Sequence, residues 1–177
     1  MGNDEDSIYS LAQLAGAALS ERGFMLATAE SCTGGWIGQA ITMVAGSSAW
    51  FDRGFITYTN EAKQEMLGVQ AATLARHGAV SAETVREMAQ GALARSRAAV
   101  AIAVSGVAGP GGGTVEKPVG MVCLAWALGT GAVVAETRVF TGDRDAVRRQ
   151  TVERALARLP AIIAGEGETC SSREVKS

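Results

Sequence analysis

The sequence is short of the residues that most often carry chemistry or cross-links. Only three of its 177 residues are cysteine, Cys32, Cys123 and Cys170. That odd, widely spaced set fits neither a zinc site nor a disulfide framework, and reads as free thiols in a reducing compartment. The one histidine, His77, lies in LARHGAV without a carboxylate motif. Ser-His-Asp, Cys-His and histidine-metal chemistry therefore lose support, and no metal or other cofactor is expected. Positive charge is not in excess: 16 basic against 18 acidic residues leave a net charge of -2. Such a chain has no global field to drive nonspecific nucleic-acid binding. No apolar run approaches the roughly 20 residues that span a bilayer. The leading MGNDEDSIYS is acidic where a signal peptide is basic. The expectation is a cytoplasmic protein with neither membrane nor nucleic acid as partner.

What is present is small and apolar. Hydrophobic residues make up 47% of the chain and aromatics only 5%, with 22 glycines. This describes an α/β interior with close backbone contacts, and the length suits one domain. Ile8, Leu11, Leu14, Ala15, Ala18 and Leu19 recur at helical spacing, predicting a helix over 7–22 closed by Gly23. FMLATAE reads as a buried strand and WIGQAITMVAG as a second helix. Residues 55–59 form a short β-like run, and Asn60 opens a helix ending near Gly68. Ser81 begins another helix, AAVAIAVSG is an interior strand, and MVCLAWALG and AVVAETRVF suit an antiparallel hairpin. A last helix runs from about 143 to 159 and stops near Pro160. The order α β α β α α β β β α predicts a three-layer α/β/α domain with a mixed central sheet. The polar end, residues 164–177, is expected to be a disordered tail. The alanine-rich helices, together with Trp36, Trp50 or Trp126 if exposed, offer an interface for a homo-oligomer.

Three segments can carry chemistry. TAESCTGG, residues 28–35, falls at a strand-to-helix turn with three adjacent candidate nucleophiles, Ser31, Cys32 and Thr33. Its free N-H groups and the helix dipole favour an anion. Equally, Ser31 or Thr33 can simply cap the helix. Cys32 is a rival nucleophile, because thiolates form readily at helix N-termini. GSSAWFDRGFITYTNEAK places Ser47 and Ser48 before a strand, Tyr58 at its end and Lys63 in the next helix. A lysine whose pKa is lowered can take a serine's proton, and a tyrosine can relay it. The same residues also read as turn serines, a packed aromatic and a solvated lysine, since no Ser-x-x-Lys motif is present. AVSGVAGPGGGTVEKPVG ends a strand in Ser105 and Gly106 and continues as a glycine-rich loop. Such a loop can offer N-H groups to a phosphate or an oxyanion, or merely connect two strands. It matches neither the P-loop nor the Rossmann fingerprint.

In this order, TAESCTGG, SSAWFDRGFITYTNEAKQEMLGV and SGVAGPGGGTVEKPVG closely resemble the C-terminal domain of the competence-damage-inducible CinA proteins. The likeness runs from about residue 7 to 163. It implies an α/β/α domain with nicotinamide-nucleotide amidohydrolase activity, converting nicotinamide mononucleotide to nicotinate mononucleotide and ammonia. Many CinA proteins carry a further N-terminal domain resembling molybdopterin-binding proteins, and this sequence resembles the stand-alone form. Family members often have Thr at the strand end before the glycine loop, where this chain has Ser105.

By resemblance to the family's serine amidase site, Ser48 is the expected nucleophile, Lys63 the base and Tyr58 the proton relay, with Ser31 the alternative nucleophile. Thr33, Gly34, Gly46, Ser105 and Gly106 are the expected substrate or oxyanion contacts. Arg144, at the start of the last helix, is the expected phosphate contact through its planar fork. The competing reading is a noncatalytic nucleotide-binding or competence-related interaction module.

Overall fold

The computed structural model describes residues 3–165. Helix α1 (Asn3–Arg22) leads into strand β1 (Leu26–Glu30), helix α2 (Trp36–Thr42), a 3-10 turn (Ser47–Ala49) and strand β2 (Phe51–Ile56). Helices α3 (Asn60–Leu67), α4 (Ala71–His77) and α5 (Ala82–Ala94) follow, then strands β3 (Val100–Gly106), β4 (Met121–Leu128) and β5 (Val133–Val139), and helix α6 (Arg144–Ala164). No helix among the described residues is long and apolar enough to cross a membrane.

The strands form one sheet in the order β2-β1-β3-β4-β5. β1 lies parallel to both β2 and β3, and β4 and β5 complete the sheet antiparallel. The chain leaves β1 for β2 on one side and returns to β3 on the other. That reversal opens a crevice at the carboxyl ends of the parallel strands, where open α/β sheets bind ligands.

Strand alternation sorts the core into two layers. Leu26, Val100, Ile102, Val104, Leu124 and Trp126 face α1, α2 and α6. Their neighbours Ala27, Ala29, Ala101, Ala103, Cys123, Ala125 and Ala127 face α5. The second face is nearly all methyl groups, so α5 can sit close to the sheet. Close approach continues outward: a Cβ at Gly91 of α5 would lie 2.0 Å from the Leu67 carbonyl oxygen of α3. Gly91→Ala is therefore expected to force α3 from α5 and cost about 2 kcal/mol net, in the range of overpacked cores. Thermal melts should show a midpoint roughly 4–8 °C lower, and an unchanged midpoint would remove the argument.

The three-layer fold and mixed sheet agree with the sequence reading, and the structure adjusts several elements. α4 was not anticipated. α2 stops at Thr42, and β2 begins at Phe51 rather than at residue 55. The cap of α3 is Thr59, whose hydroxyl accepts from Ala62 N, rather than Asn60. Pro160 lies inside α6, which continues to Ala164. Trp50 and Trp126 are buried rather than exposed: Trp50 packs on Gly16, and Trp126 Nε1 donates to Ala155 O at 3.1 Å. Ala164 ends α6 and Gly165 caps it, so the tail expected from residue 164 falls outside the described residues only from 166, together with Cys170.

Candidate active site

At the end of β1 two consecutive residues point to opposite faces of the sheet. Glu30 turns toward α2 and Ser31 toward α3. The Glu30 side chain is buried, and its carboxylate accepts four hydrogen bonds, from Thr33 Oγ1 (2.6 Å) and from the backbone N-H groups of Gly35 (3.1 Å), Ile37 (3.0 Å) and Gly38 (2.9 Å). The start of α2 is thus already filled by the protein's own anion. Neither Ser31 nor Thr33 caps it: the N-cap is Gly35, without a side-chain cap. Gly34 and Gly35 have φ of +62° and +99°, which side-chain-bearing residues rarely adopt. These two glycines let the chain fold back over Glu30.

Ser31, 8% exposed, meets Lys63 from α3, whose Nζ donates to Ser31 Oγ at 3.0 Å and to Thr57 O at 2.8 Å. Lys63 is 1% exposed, and both of these partners are neutral. Burial pushes its amine below the ordinary lysine value of 10.5, opposed in part by the nearby Cys32. Desolvation favours the uncharged amine, the form that can accept a serine's proton. Cys32 is driven the other way: burial first, and the nearby Glu30 as well, push its thiol up to about 12. A thiol at that value is not ionised near neutrality, so Cys32 is not an activated nucleophile. The helix N-terminus that would have stabilised its thiolate belongs to Glu30.

Around this pair is a cavity of about 190 Å³ lined by Ser31, Cys32, Tyr58, Lys63, Ala79, Val80, Ser105, Gly106, Ala108 and Arg144. Tyr58 is exposed, and its hydroxyl accepts from Arg144 Nη2 at 2.9 Å, while Arg144 Nη1 donates to Gly109 O at 2.8 Å. The Tyr58 hydroxyl is thus joined to Arg144 in this arrangement, not to the Lys63 amine. Gly111, Gly112 and Gly113 of the glycine-rich loop are exposed and do not line the cavity; Ser105, Gly106 and Ala108 do. A larger cavity of about 450 Å³, lined by Phe24, Leu128 and Ile163 among others, is mostly apolar and lies at the other end of the sheet.

Ser48 is not brought to Lys63. It is exposed in the 3-10 turn before β2, and Trp50 O, two residues on, accepts from Leu26 N at the start of β1. β2 runs parallel to β1 for six residues before it reaches Thr57 and Tyr58. Ser48 and Gly46 therefore lie at the opposite end of the sheet, on the order of 20 Å from the cavity at about 3.3 Å per residue. The early β2 start, hidden in the polar stretch FDRGF, separates these residues. Thr33 is buried on Glu30, and Thr33 and Gly34 border a neighbouring cavity with Trp36 and Arg148. His77 is 3.7 Å from Glu83 and does not line the cavity. Two contributors escaped sequence reasoning, Glu30 and Arg148. Glu30 had a signal: an acidic residue ending an apolar strand, before a helix that is entered through Gly34 and Gly35 and has no acid in its first turn.

The chain is thus a three-layer α/β/α protein with a mixed five-stranded sheet and a buried serine-lysine pair in its crevice. The model of the CinA C-terminal domain matches residues 8–163, and the chain belongs to that family. It is 54% identical over 155 residues to the nicotinamide-nucleotide amidohydrolase PncC of Escherichia coli K12, covering 88% of this chain and 94% of the relative. The protein of the same name from Pseudomonas putida is 54% identical over 151 residues, covering 85% and 94%. The crystal structure of the competence/damage inducible protein CihA from Agrobacterium tumefaciens superposes with a TM-score of 0.85 at 51% identity, covering 88% of this chain and 95% of that one.

Proposed function

We propose that this chain is a nicotinamide-nucleotide amidohydrolase in which Ser31 is the nucleophile and Lys63 the general base. The observation that carries the reading is the buried 3.0 Å contact between Lys63 Nζ and Ser31 Oγ. The substrate class follows from the relatives, which carry that activity in their names at 54% identity over most of both chains. Residues 7–163 are taken as the functional unit. An enzyme of nucleotide recycling is assigned to the cytoplasm.

The chemistry balances without a cofactor. Lys63 takes the Ser31 hydroxyl proton as Oγ bonds to the carboxamide carbon of nicotinamide mononucleotide. The backbone N-H groups of Cys32 and Thr33, ahead of those held by Glu30, are the candidates to receive the oxyanion. Lys63 returns the proton to the departing nitrogen, the C-N bond breaks, and ammonia leaves an ester on Ser31. Water then attacks that ester, Lys63 taking its proton and passing it to Ser31 Oγ as the ester bond breaks. The products are nicotinate mononucleotide and a regenerated serine.

Arg144 lines the cavity and is the proposed phosphate contact, its planar fork exchanging the Tyr58 and Gly109 partners for phosphate oxygens. Ser105 and Gly106 line the same cavity and are the proposed contacts of the substrate or its oxyanion. A noncatalytic binding module has no use for a fully desolvated lysine held on a serine, so the enzyme reading is favoured over that alternative. The test is ammonia release from nicotinamide mononucleotide by the purified protein, and absence of ammonia overturns the reading. Ser48→Ala should retain activity within about twofold of wild type, the scale of an exposed substitution away from the chemistry. A Ser48→Ala variant without activity would return the nucleophile to that position.

A further inference from the structure

The loop that carries Ser31 is held from two sides by opposite charges. Two of its hydrogen-bond donors, Thr33 Oγ1 and Gly35 N, end on Glu30 with those of the first turn of α2. Two of its carbonyls accept from a residue of a different element. Arg148 of α6 donates Nε to Cys32 O at 3.1 Å and Nη2 to Thr33 O at 3.0 Å. These are the two carbonyls that follow Ser31. Its guanidinium lies 5.1 Å from the centroid of the Trp36 ring, a cation-π distance. Arg144 and Arg148 are four residues apart on α6, so one helix face reaches both the cavity mouth and the back of the nucleophile loop.

We propose that Arg148 is a positioning residue for Ser31, setting the loop carbonyls so that Oγ stays on Lys63 and aimed at the substrate carbon. This inference rests on the reading of Ser31 as nucleophile. A planar fork suits two consecutive carbonyls, and a lysine ammonium cannot reproduce it. The fold itself does not require the contact. The Arg148 side chain is 29% exposed and borders a cavity of about 360 Å³ with Thr33, Gly34 and Trp36. Water can therefore satisfy the two carbonyls when Arg148 is removed, leaving the loop free to shift while the domain stays folded. Displacements of about 1 Å cost on the order of a hundredfold in rate.

The experiment measures steady-state hydrolysis of nicotinamide mononucleotide and the rate at which a fluorophosphonate probe labels Ser31, in wild type, Arg148→Ala, Arg148→Lys and Asp145→Asn. In Arg148→Ala, kcat should fall about 30- to 100-fold with KM within about threefold, as for lost alignment of reacting groups. The labelling rate should slow in parallel while the final labelled fraction stays complete. Ethylguanidinium should restore part of the rate to Arg148→Ala, and Arg148→Lys should fall between it and wild type. Asp145, 3.7 Å from Arg148 Nη1 and exposed, is the control expected to match wild type when changed to Asn. A kcat for Arg148→Ala within threefold of wild type overturns the proposal, as does a fall in the labelled fraction in place of the labelling rate. If wild type releases no ammonia yet labels at Ser31, the substrate reading fails, and the labelling rates still decide the role of Arg148.

Discussion

Ser31→Ala is expected to lower kcat for ammonia release by about 10³- to 10⁵-fold, the range seen when a serine hydrolase loses its nucleophile. KM should change little, because the hydroxyl is one small contact among the groups lining the cavity. The variant should fold as wild type: Ser31 contributes its backbone N-H to Val104 O at 3.1 Å, which alanine keeps. Cys32→Ala should retain activity within about threefold, since a thiol raised to about 12 is protonated across the working range. Together the two variants separate neighbouring side chains that the sequence presents as equals. Wild-type turnover in Ser31→Ala would end the assignment, and loss confined to Cys32→Ala would select the thiol.

The second large effect belongs to Lys63. The proposed base role requires the uncharged amine, so kcat/KM should rise about tenfold per pH unit below its folded pKa and level off above it. The folded pKa lies below 10.5, because burial disfavours the ammonium. Lys63→Met should lose at least about 10³-fold in kcat and lose this rising limb. Its stability should respond in the opposite sense. Between the lowered folded pKa and the unfolded value near 10.5, the unfolded chain binds more protons, so wild-type stability rises with pH through that window. Below the window the native state carries the cost of a buried ammonium, which methionine of similar length does not. The midpoint of Lys63→Met at neutral pH should therefore hold or rise, apart from the lost bond to Thr57 O. A fall of several degrees accompanying the lost activity would mark Lys63 as a structural tie instead.

The sequence makes the architecture legible because long apolar runs identify β1, β3, β4 and the main helices, and glycine and proline mark most of their ends. It is less informative wherever a segment is half exposed. β2 is an edge strand of mixed burial, reading FDRGFI, so its polar start resembles loop. Ser48 was read as preceding the strand and Tyr58 as ending it, and the earlier start of β2 at Phe51 lengthens the strand between them. α4 is a single short turn pair without a side-chain cap, and its pattern is too brief to show periodicity. At the site, Lys63 and Tyr58 are placed in the cavity as the motif suggests. The order of elements puts Ser31 after β1 and Ser48 before β2, but it does not show that the Lys63 side chain reaches Ser31 from the following helix. Arg148 lies more than a hundred positions from the carbonyls it holds, and one sequence contains no trace of that contact.

The methyl-lined face of the sheet bears on how firmly Lys63 is placed. Alanine has no rotamers to lose, so ordering this half of the interior costs little side-chain entropy, whereas each buried leucine or isoleucine of the opposite half gives up about 0.5–1 kcal/mol. α5 rests on that face, and α3 rests on α5 through the contact of Gly91 with Leu67. Leu67 and Lys63 are one turn apart on α3, on the same inward side. The lysine, the more flexible member of the pair, is thus carried on the layer of the molecule that has the fewest alternative packings to explore.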